Sequence, residues 1–194
     1  MRRTLIAALC IAAAVAAGGC HGRTGDGPRH KLGSKQQNIL RLYNMADSIY
    51  YKEGRIDTAA FLRFIDKAVD FATTYPDDEI SPDMLYRAGV GSMIIAKASE
   101  TSDRRAAYCK KAIAIFNQFQ AAYPGHEKYR YCYYQRGVIY DDILGDYNSA
   151  EDQYREFINR YPDDPMSPDL EAYLKLLGRS DDEIGKMVMG GGGS

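Results

Sequence analysis

The sequence predicts an all-α protein, a solenoid of about three antiparallel helix pairs followed by a capping helix. Three stretches share one pattern, in which apolar residues recur at spacings of four and three before a Tyr-Pro dipeptide. They are Phe64-x₃-Ala68-x₂-Phe71-x₄-Pro76, Ala112-x₃-Phe116-x₂-Phe119-x₄-Pro124 and Ala150-x₃-Tyr154-x₂-Phe157-x₄-Pro162. This spacing places the apolar residues on one helix face, and the proline ends each helix. No stretch alternates apolar and polar residues, so nothing predicts a strand.

The individual helices follow from the same pattern and from their start signals. Gly54 and Gly145 form turns, and short polar residues just after each turn are predicted N-caps. These caps are Asp57 or Thr58 in the first case and Asn148 or Ser149 in the second. Ser81 and Ser167, each followed by Pro-Asp, are also predicted caps because proline fits the first helical position. The predicted helices lie near 35–53, 57–75, 82–99, 103–123, 127–144, 147–161 and 168–178, with a short one near 181–188.

A small residue lies in the helix that precedes two of these patterns. Tyr86-x-x-Gly89 and Tyr134-x-x-Gly137 mark positions where a neighbouring helix is expected to approach closely. The order of small residue, glycine turn, alanine, aromatic and terminal proline resembles the tetratricopeptide repeat (TPR) family. The resemblance covers about 37 to 178. It implies a TPR-like solenoid of antiparallel helix pairs, and the alternative is a plain helical bundle with accidental similarity.

Two segments follow the TPR consensus most closely, and two spacings depart from it. The close segments are Leu42-Tyr43-Asn44-Met45-Ala46 and Gly145-Asp-Tyr-Asn-Ser-Ala150. From Ala46 to Gly54, and again from Gly137 to Gly145, the chain is one residue longer than the usual turn spacing. The repeats are therefore divergent members of that family pattern.

Residues 1–19 predict an export signal. Arg2 and Arg3 precede an apolar run that is too short to span a bilayer, and small residues then lead into Cys20. The arrangement resembles the lipobox of bacterial lipoproteins, in which the cysteine thiol is joined to diacylglycerol and the new amine is acylated. The resemblance implies lipidation of Cys20, with 20–34 as a lipidated flexible tether. The alternative is an ordinary secretory signal with a coincidental cysteine.

The remaining boundaries follow from composition. The helical domain is predicted over 35–178, and 179–194 is a short tail whose Gly-rich end is typical of an engineered linker or a flexible terminus. Removing Arg2 and Arg3 with the signal leaves 23 basic residues against 26 acidic ones. This balance indicates no nucleic-acid partner, and no later segment is apolar enough to cross a membrane.

The combination of lipobox and TPR pattern distantly resembles the BamD-type lipoproteins of outer-membrane protein assembly. It implies an envelope scaffold, tethered by its N-terminal lipid and facing the periplasm, that binds another protein or peptide. No aspartate follows Cys20, which favours the outer membrane by the sorting rule of that family. An accessory subunit of an envelope enzyme or of a glycan-handling complex is the alternative.

The sequence contains no recognisable catalytic centre, cofactor site or metal site. The three histidines, His21, His30 and His126, lie in the tether or in a loop. Acidic pairs occur in loops but lack the alternating oxygen ligands of a calcium loop. Cys109 and Cys132 fall on helical positions and have no histidine near them, so we interpret them as buried small residues. Their helix positions put them roughly 15 Å apart along the axis, so we predict no disulfide between them.

Tyrosine is unusually frequent, with sixteen residues and no tryptophan. Many tyrosines fall on the first helix of each predicted pair, where a TPR array has its concave groove. Tyrosine combines a large contact area with a hydroxyl group, which suits peptide recognition. The alternative is that these rings pack in the core and the groove is empty. With Ala46, Gly89 and Gly137 as the small positions, the predicted partner-binding set is Tyr43, Asp47, Tyr50, Tyr51, Asp83, Tyr86, Met93, Tyr131, Tyr134, Asp141 and Asp142.

Overall fold

The computed structural model describes residues 33–34, 36–41, 43–44 and 57–190. Within those ranges the chain contains helices and no strand, so the all-α prediction is confirmed. The helices are α1 (Thr58–Thr74), α2 (Ser81–Ala98), α3 (Ser102–Ala122), α4 (Tyr131–Val138), a π-helical segment (Ile139–Leu144), α5 (Tyr147–Arg160), α6 (Ser167–Leu174) and α7 (Asp181–Gly190). The described residues between 34 and 44 are helical as well.

Several predicted features lie outside the described residues. They are the signal peptide, the lipidated Cys20, most of the tether, and three members of the predicted partner-binding set, Asp47, Tyr50 and Tyr51. The predicted domain boundaries at 20 and 35 also lie outside the described residues, and the boundary at 179 stays a prediction.

The core is built from the repeated apolar pattern. The helices pack as antiparallel neighbours. α1 packs against α2, α2 also packs against α3, and α4 packs against α5. Phe64, Phe116, Phe119 and Phe157, all members of the repeated pattern, are fully buried. Burying one such ring stabilises the fold by about 1.5–3 kcal/mol.

Glycine allows the closest of these helix contacts. A Cβ atom added to Gly89 would lie 2.7 Å from the Phe116 ring, and one added to Gly137 would lie 2.3 Å from the Tyr154 ring. Both distances are shorter than a carbon–carbon contact permits. The predicted close approach at the two small positions is therefore confirmed, with α3 as the neighbour of α2 and α5 as the neighbour of α4.

The loop after each Tyr-Pro dipeptide has one backbone conformation in all three repeats. In the first, the Asp78 amide donates to the Tyr75 carbonyl and the Ser81 amide donates to the Asp78 carbonyl. The same pair of bonds recurs in the loops that begin at Tyr123 and Tyr161. The sequence predicted a helix end at each Tyr-Pro dipeptide, and the whole turn around the dipeptide is reproduced as well.

The fourth residue of each loop also has the same role, although its side chain differs. The Asp78 and Asp164 carboxylates accept a hydrogen bond from the amide two residues later. In the middle loop His126 replaces the aspartate, and its Nδ1 accepts from the Lys128 amide at 3.1 Å. An imidazole nitrogen thus substitutes for a carboxylate oxygen in the same turn.

The predicted serine caps are wrong, although the serines are structurally important. Ser81 and Ser167 are the first residues of their helices and make no capping bond. Both are buried, and each hydroxyl donates instead to the carbonyl of the tyrosine that ends the preceding helix, at 2.6 Å. The serine therefore connects one helix end to the next helix start.

The glycine-turn caps are correct for α1 and wrong for α5. The Asp57 carboxylate accepts from the Ala60 amide at 2.9 Å, as predicted. In α5 the cap is Asp146, which accepts from the Ser149 amide at 3.1 Å, and neither Asn148 nor Ser149 is the cap. The cap lies two residues before the nearer of the predicted positions, directly after Gly145.

The extra residue between Gly137 and Gly145 is accommodated by a π-helical segment. We predicted one helix from 127 to 144, whereas α4 begins at Tyr131 and becomes π-helical from Ile139. A π-helix places one additional residue in a turn, so the helix absorbs the longer spacing without a longer loop. Gly145 then ends the segment with φ 68°, and the next amide donates back to the Tyr140 carbonyl at 2.8 Å.

Candidate functional site

The structure places three members of the predicted groove set in the core. Tyr86 is 4 % exposed, Tyr134 8 % and Met93 9 %. Tyr86 packs edge-on against the Phe116 ring of α3, with centroids 5.6 Å apart. The expectation that these side chains are open to solvent is wrong. Whether any of them contacts a partner stays a prediction.

The reason for this error is the position of the glycine. Residues three or four places from Gly89 share its helix face, and that face packs against α3 because glycine has no side chain there. Tyr86 and Met93 are three and four places away, so both are buried. The same geometry buries Tyr134 beside Gly137. A small residue therefore marks the contact face of the helix and not its open face.

The open face of α2 consists of five residues at helical spacing, and it is shifted by one position from the predicted set. Asp83 and Arg87 begin it, Val90 and Ile94 form a partly buried apolar centre, and Lys97 ends it. Only Asp83 was predicted. Gly89 also identifies the others. Its face of α2 packs against α3, so residues one position away from that face do not face α3.

Charged groups of this open face have partners on neighbouring repeats. Lys128 Nζ lies 2.5 Å from Asp83 Oδ1, and Lys97 Nζ lies 3.2 Å from Asp142 Oδ2. The Arg87 guanidinium stacks over the Tyr43 ring, 4.3 Å from its centroid. The charges at both ends of the α2 face are thus neutralised or covered within the chain, which leaves Val90 and Ile94 as its accessible centre.

The remaining predicted residues make similar contacts between repeats. Tyr131 is half-buried, stacks on the Phe157 ring at 6.4 Å, and its hydroxyl accepts from Arg130 at 3.2 Å. Asp141 accepts a short hydrogen bond from the Tyr173 hydroxyl of α6. The predicted acids and tyrosines that the structure describes are therefore elements of the array itself.

A second feature lies on the other side of α4, where sequence reasoning predicted nothing. Arg136 is only 7 % exposed. Its Nε donates to Gln153 Oε1 of α5 at 2.7 Å, and its Nη1 donates to Asn117 and Gln120 of α3 at 3.0 and 2.7 Å. The Tyr133 ring packs 4.9 Å from the guanidinium carbon. Burial lowers the pKa of Arg136 below its usual range.

The cysteines of the described region are structural in character. Cys109 and Cys132 are free thiols, and both are buried. Burial raises the pKa of Cys109 to about 11 and that of Cys132 to about 12, so each is a neutral thiol at neutral pH. In the part of the chain that the structure describes, no group of three His, Cys, Asp or Glu residues is placed to hold a metal ion.

Comparison with known families agrees with this geometry. Residues 131–164, which include α4, the π-helical segment and α5, match the family described as Tetratricopeptide repeat. This segment is therefore similar to a tetratricopeptide repeat, and such repeats are generally non-catalytic modules of protein–protein interaction. No curated protein matches the sequence. None of the helices among the described residues combines the length and apolar character that crossing a membrane requires.

Proposed function

We propose that the protein is a membrane-tethered scaffold of the bacterial cell envelope that binds a segment of another envelope protein, in the assembly of outer-membrane proteins. The observation that carries this proposal is the open face of α2. There, two partly buried aliphatic side chains, Val90 and Ile94, lie between charges that already have partners. A patch of this kind favours an apolar segment of a partner, because burying it removes apolar surface without separating an ion pair.

The tether is proposed from residues 1–20. The order of Arg2 and Arg3, an apolar run, small residues and Cys20 supports lipidation. Several acyl chains provide a stable membrane anchor where one chain does not. Changing Cys20→Ser is expected to move the protein from the membrane to the soluble fraction. A Cys20→Ser variant that stays bound to membranes after a high-salt wash would refute the lipid tether.

The partner-binding part of the proposal is tested by photo-crosslinking in intact cells. A photoreactive amino acid at Val90 or Ile94 is expected to crosslink to one or a few envelope proteins. The same amino acid at Arg155, which is exposed on α5 and far from α2 in the chain, is the matched control. Equal crosslinking from all three positions, or none from Val90 and Ile94, contradicts a binding surface on α2.

A non-enzymatic role is part of the same proposal. The two buried thiols are un-ionised at neutral pH, and the one histidine of the described region, His126, is used as a loop acceptor. Neither arrangement activates a nucleophile, which requires a base or a lowered pKa next to it. A scaffold role needs no activated nucleophile.

A further inference from the structure

Arg136 differs from neighbouring arginines in lacking a counter-charge. Arg130 pairs with Asp164, Arg155 with Glu151 and Arg160 with Glu156, at 3.1, 2.6 and 2.5 Å respectively. No carboxylate of the described residues lies within ion-pair distance of Arg136, whose hydrogen-bond partners are all neutral amides. A buried cation without an anion costs several kcal/mol of desolvation, so the arrangement needs an explanation.

The hydrogen-bond inventory of Arg136 identifies which atom is still available. A guanidinium has five N–H donors. Nε uses its one donor on Gln153, and Nη1 uses both of its donors on Asn117 and Gln120. Nη2 has no hydrogen-bond partner in the described part of the chain, and it is not among the enclosed side-chain atoms that lack partners. Nη2 is therefore not completely enclosed, and its N–H groups are available to a ligand.

The Tyr133 ring connects Arg136 with a second arginine, Arg160. The Arg160 guanidinium lies over the Tyr133 ring, 5.6 Å from the centroid, and Arg136 lies over the same ring at 4.9 Å. The acid of this region, Glu156, is held by Arg160 through the 2.5 Å pair. On α3 four basic residues accompany one acidic residue, and Lys110 lies two turns before Asn117 on the same stripe.

We propose that the outer side of α4, defined by Arg136, Tyr133 and Arg160, is a second binding site, which takes a carboxylate side chain of an acidic peptide segment. This inference rests on the proposed function and names the chemistry of the partner. An N–H group of Nη2 can donate to a carboxylate oxygen, and such a bond between two charged groups is stronger than one between neutral groups. One uncompensated cation beside neutral amides suits a single negative charge better than a phosphate dianion.

The test is the affinity of the purified mature protein for a synthetic twelve-residue Glu/Ser/Gly peptide and for its Gln-for-Glu analogue. The proposal predicts that the wild type binds the acidic peptide at least about tenfold more tightly than the neutral one. Arg136→Gln should remove this preference, while Arg155→Gln, which deletes an exposed arginine of α5, should change affinity by less than about twofold. Equal losses in the two variants would show a general charge effect and overturn the site.

A second measurement covers the case in which Arg136→Gln does not fold. Arginine side-chain N–H resonances of the wild-type protein are followed by NMR during titration with the acidic peptide. The Arg136 resonance should shift, and the Arg155 resonance should not. Inorganic phosphate shifting Arg136 at a lower concentration than the peptide would overturn the peptide carboxylate as ligand.

The two proposals fail in different ways. If the photo-crosslinks from Val90 persist while neither peptide binds, the scaffold function stands and the carboxylate site is refuted. If the peptide binds through Arg136 but Val90 and Ile94 give no crosslink, the site stands and the α2 surface is refuted.

Discussion

Charged side chains have different surroundings in two regions of the molecule. One is the open face of α2, here called the inner row, and the other is the outer side of α4, which carries Arg136. Along the inner row, Asp83 pairs with Lys128 and Lys97 pairs with Asp142, so that each charge has an opposite charge on the next repeat. On the outer side Arg136 is only 7 % exposed, and it contacts only amide oxygens and an aromatic face. The inner ion pairs fix one repeat on another, whereas the unpaired cation outside leaves a charge for a ligand to neutralise.

The largest predicted effect is on the reactivity of the two buried thiols, Cys109 and Cys132. Because burial raises the pKa of Cys109 to about 11 and of Cys132 to about 12 from 9.0, the thiolate fraction at pH 8 falls by about 100-fold or more. A thiol reagent should react slowly with native protein and should find both of these thiols in denatured, non-reduced protein. Fewer than two reactive thiols in the denatured, non-reduced protein would indicate a disulfide, contrary to the prediction from the positions of the two cysteines on their helices.

The same shifts have a consequence for stability at high pH. The thiols are neutral in the folded protein at pH values where they already ionise in the unfolded chain. Their contribution to stability is therefore complete below pH 9 and is lost as the pH rises from 9 towards 11. Urea denaturation at pH 8 and pH 10 measures the loss, and a Cys109→Ala, Cys132→Ala variant is the control that should lose less.

Gly137→Ala is expected to have the next largest effect, because Gly137 allows α4 to pack closely against α5. The added Cβ would lie 2.3 Å from the Tyr154 ring, which must move together with α5. We expect a loss of about 2–3 kcal/mol in the free energy of unfolding, measured by urea denaturation. Gly125→Ala is the matched control, because nothing lies within 4 Å of its added Cβ. Equal stability of the two variants would contradict the helix contact.

Asp83→Ala tests the inner ion pair and should have an intermediate effect. Lys128 is almost completely buried, so removing its carboxylate leaves a buried cation, as at Arg136, but without prearranged amides. Asp83 is itself partly exposed, and we therefore expect a loss of only about 1–2 kcal/mol. Glu151→Ala, which breaks the exposed pair with Arg155, should cost less than about 0.5 kcal/mol. A larger loss of stability for Glu151→Ala than for Asp83→Ala would contradict the greater contribution of the inner ion pair.

His126→Asp gives the smallest effect and tests the equivalence of the three loops. Aspartate is the residue at this place in the other two loops, where its oxygen accepts the same amide bond. We expect a change within about 0.5 kcal/mol. His126→Leu, which removes the acceptor of the Lys128 amide, should cost about 1 kcal/mol. Thermal unfolding of both variants at one pH separates them.

The fold was predictable because its signals are local. The Tyr-Pro endings fix where α1, α3 and α5 stop, and the four-and-three spacing fixes which residues are buried. The π-helical turn was not predictable, since an extra residue before Gly145 can be absorbed by a loop or by a helix, and only the packing of α4 decides. The position of Ser81 depends likewise on a carbonyl of the preceding helix.

The candidate sites were predicted less well, for two physical reasons. The groove residues were counted from Gly89 and Gly137, and glycine faces the neighbouring helix, so Tyr86, Met93 and Tyr134 are buried. Arg136 gave no signal in the sequence because its amide partners are 16 to 19 residues away on two other helices. Only an alignment of the three helices in space brings them together.

The most direct test of the scaffold is the affinity of the crosslinked partner, once identified, for the purified mature protein and two surface variants. The double change Val90→Ser, Ile94→Ser removes the apolar centre of the open α2 face, while Leu144→Ser removes a more exposed aliphatic side chain elsewhere. The account predicts that the double variant binds about tenfold or more weakly, with unchanged thermal stability, and that Leu144→Ser binds as the wild type does. Unchanged affinity of the double variant would contradict a partner-binding surface on α2.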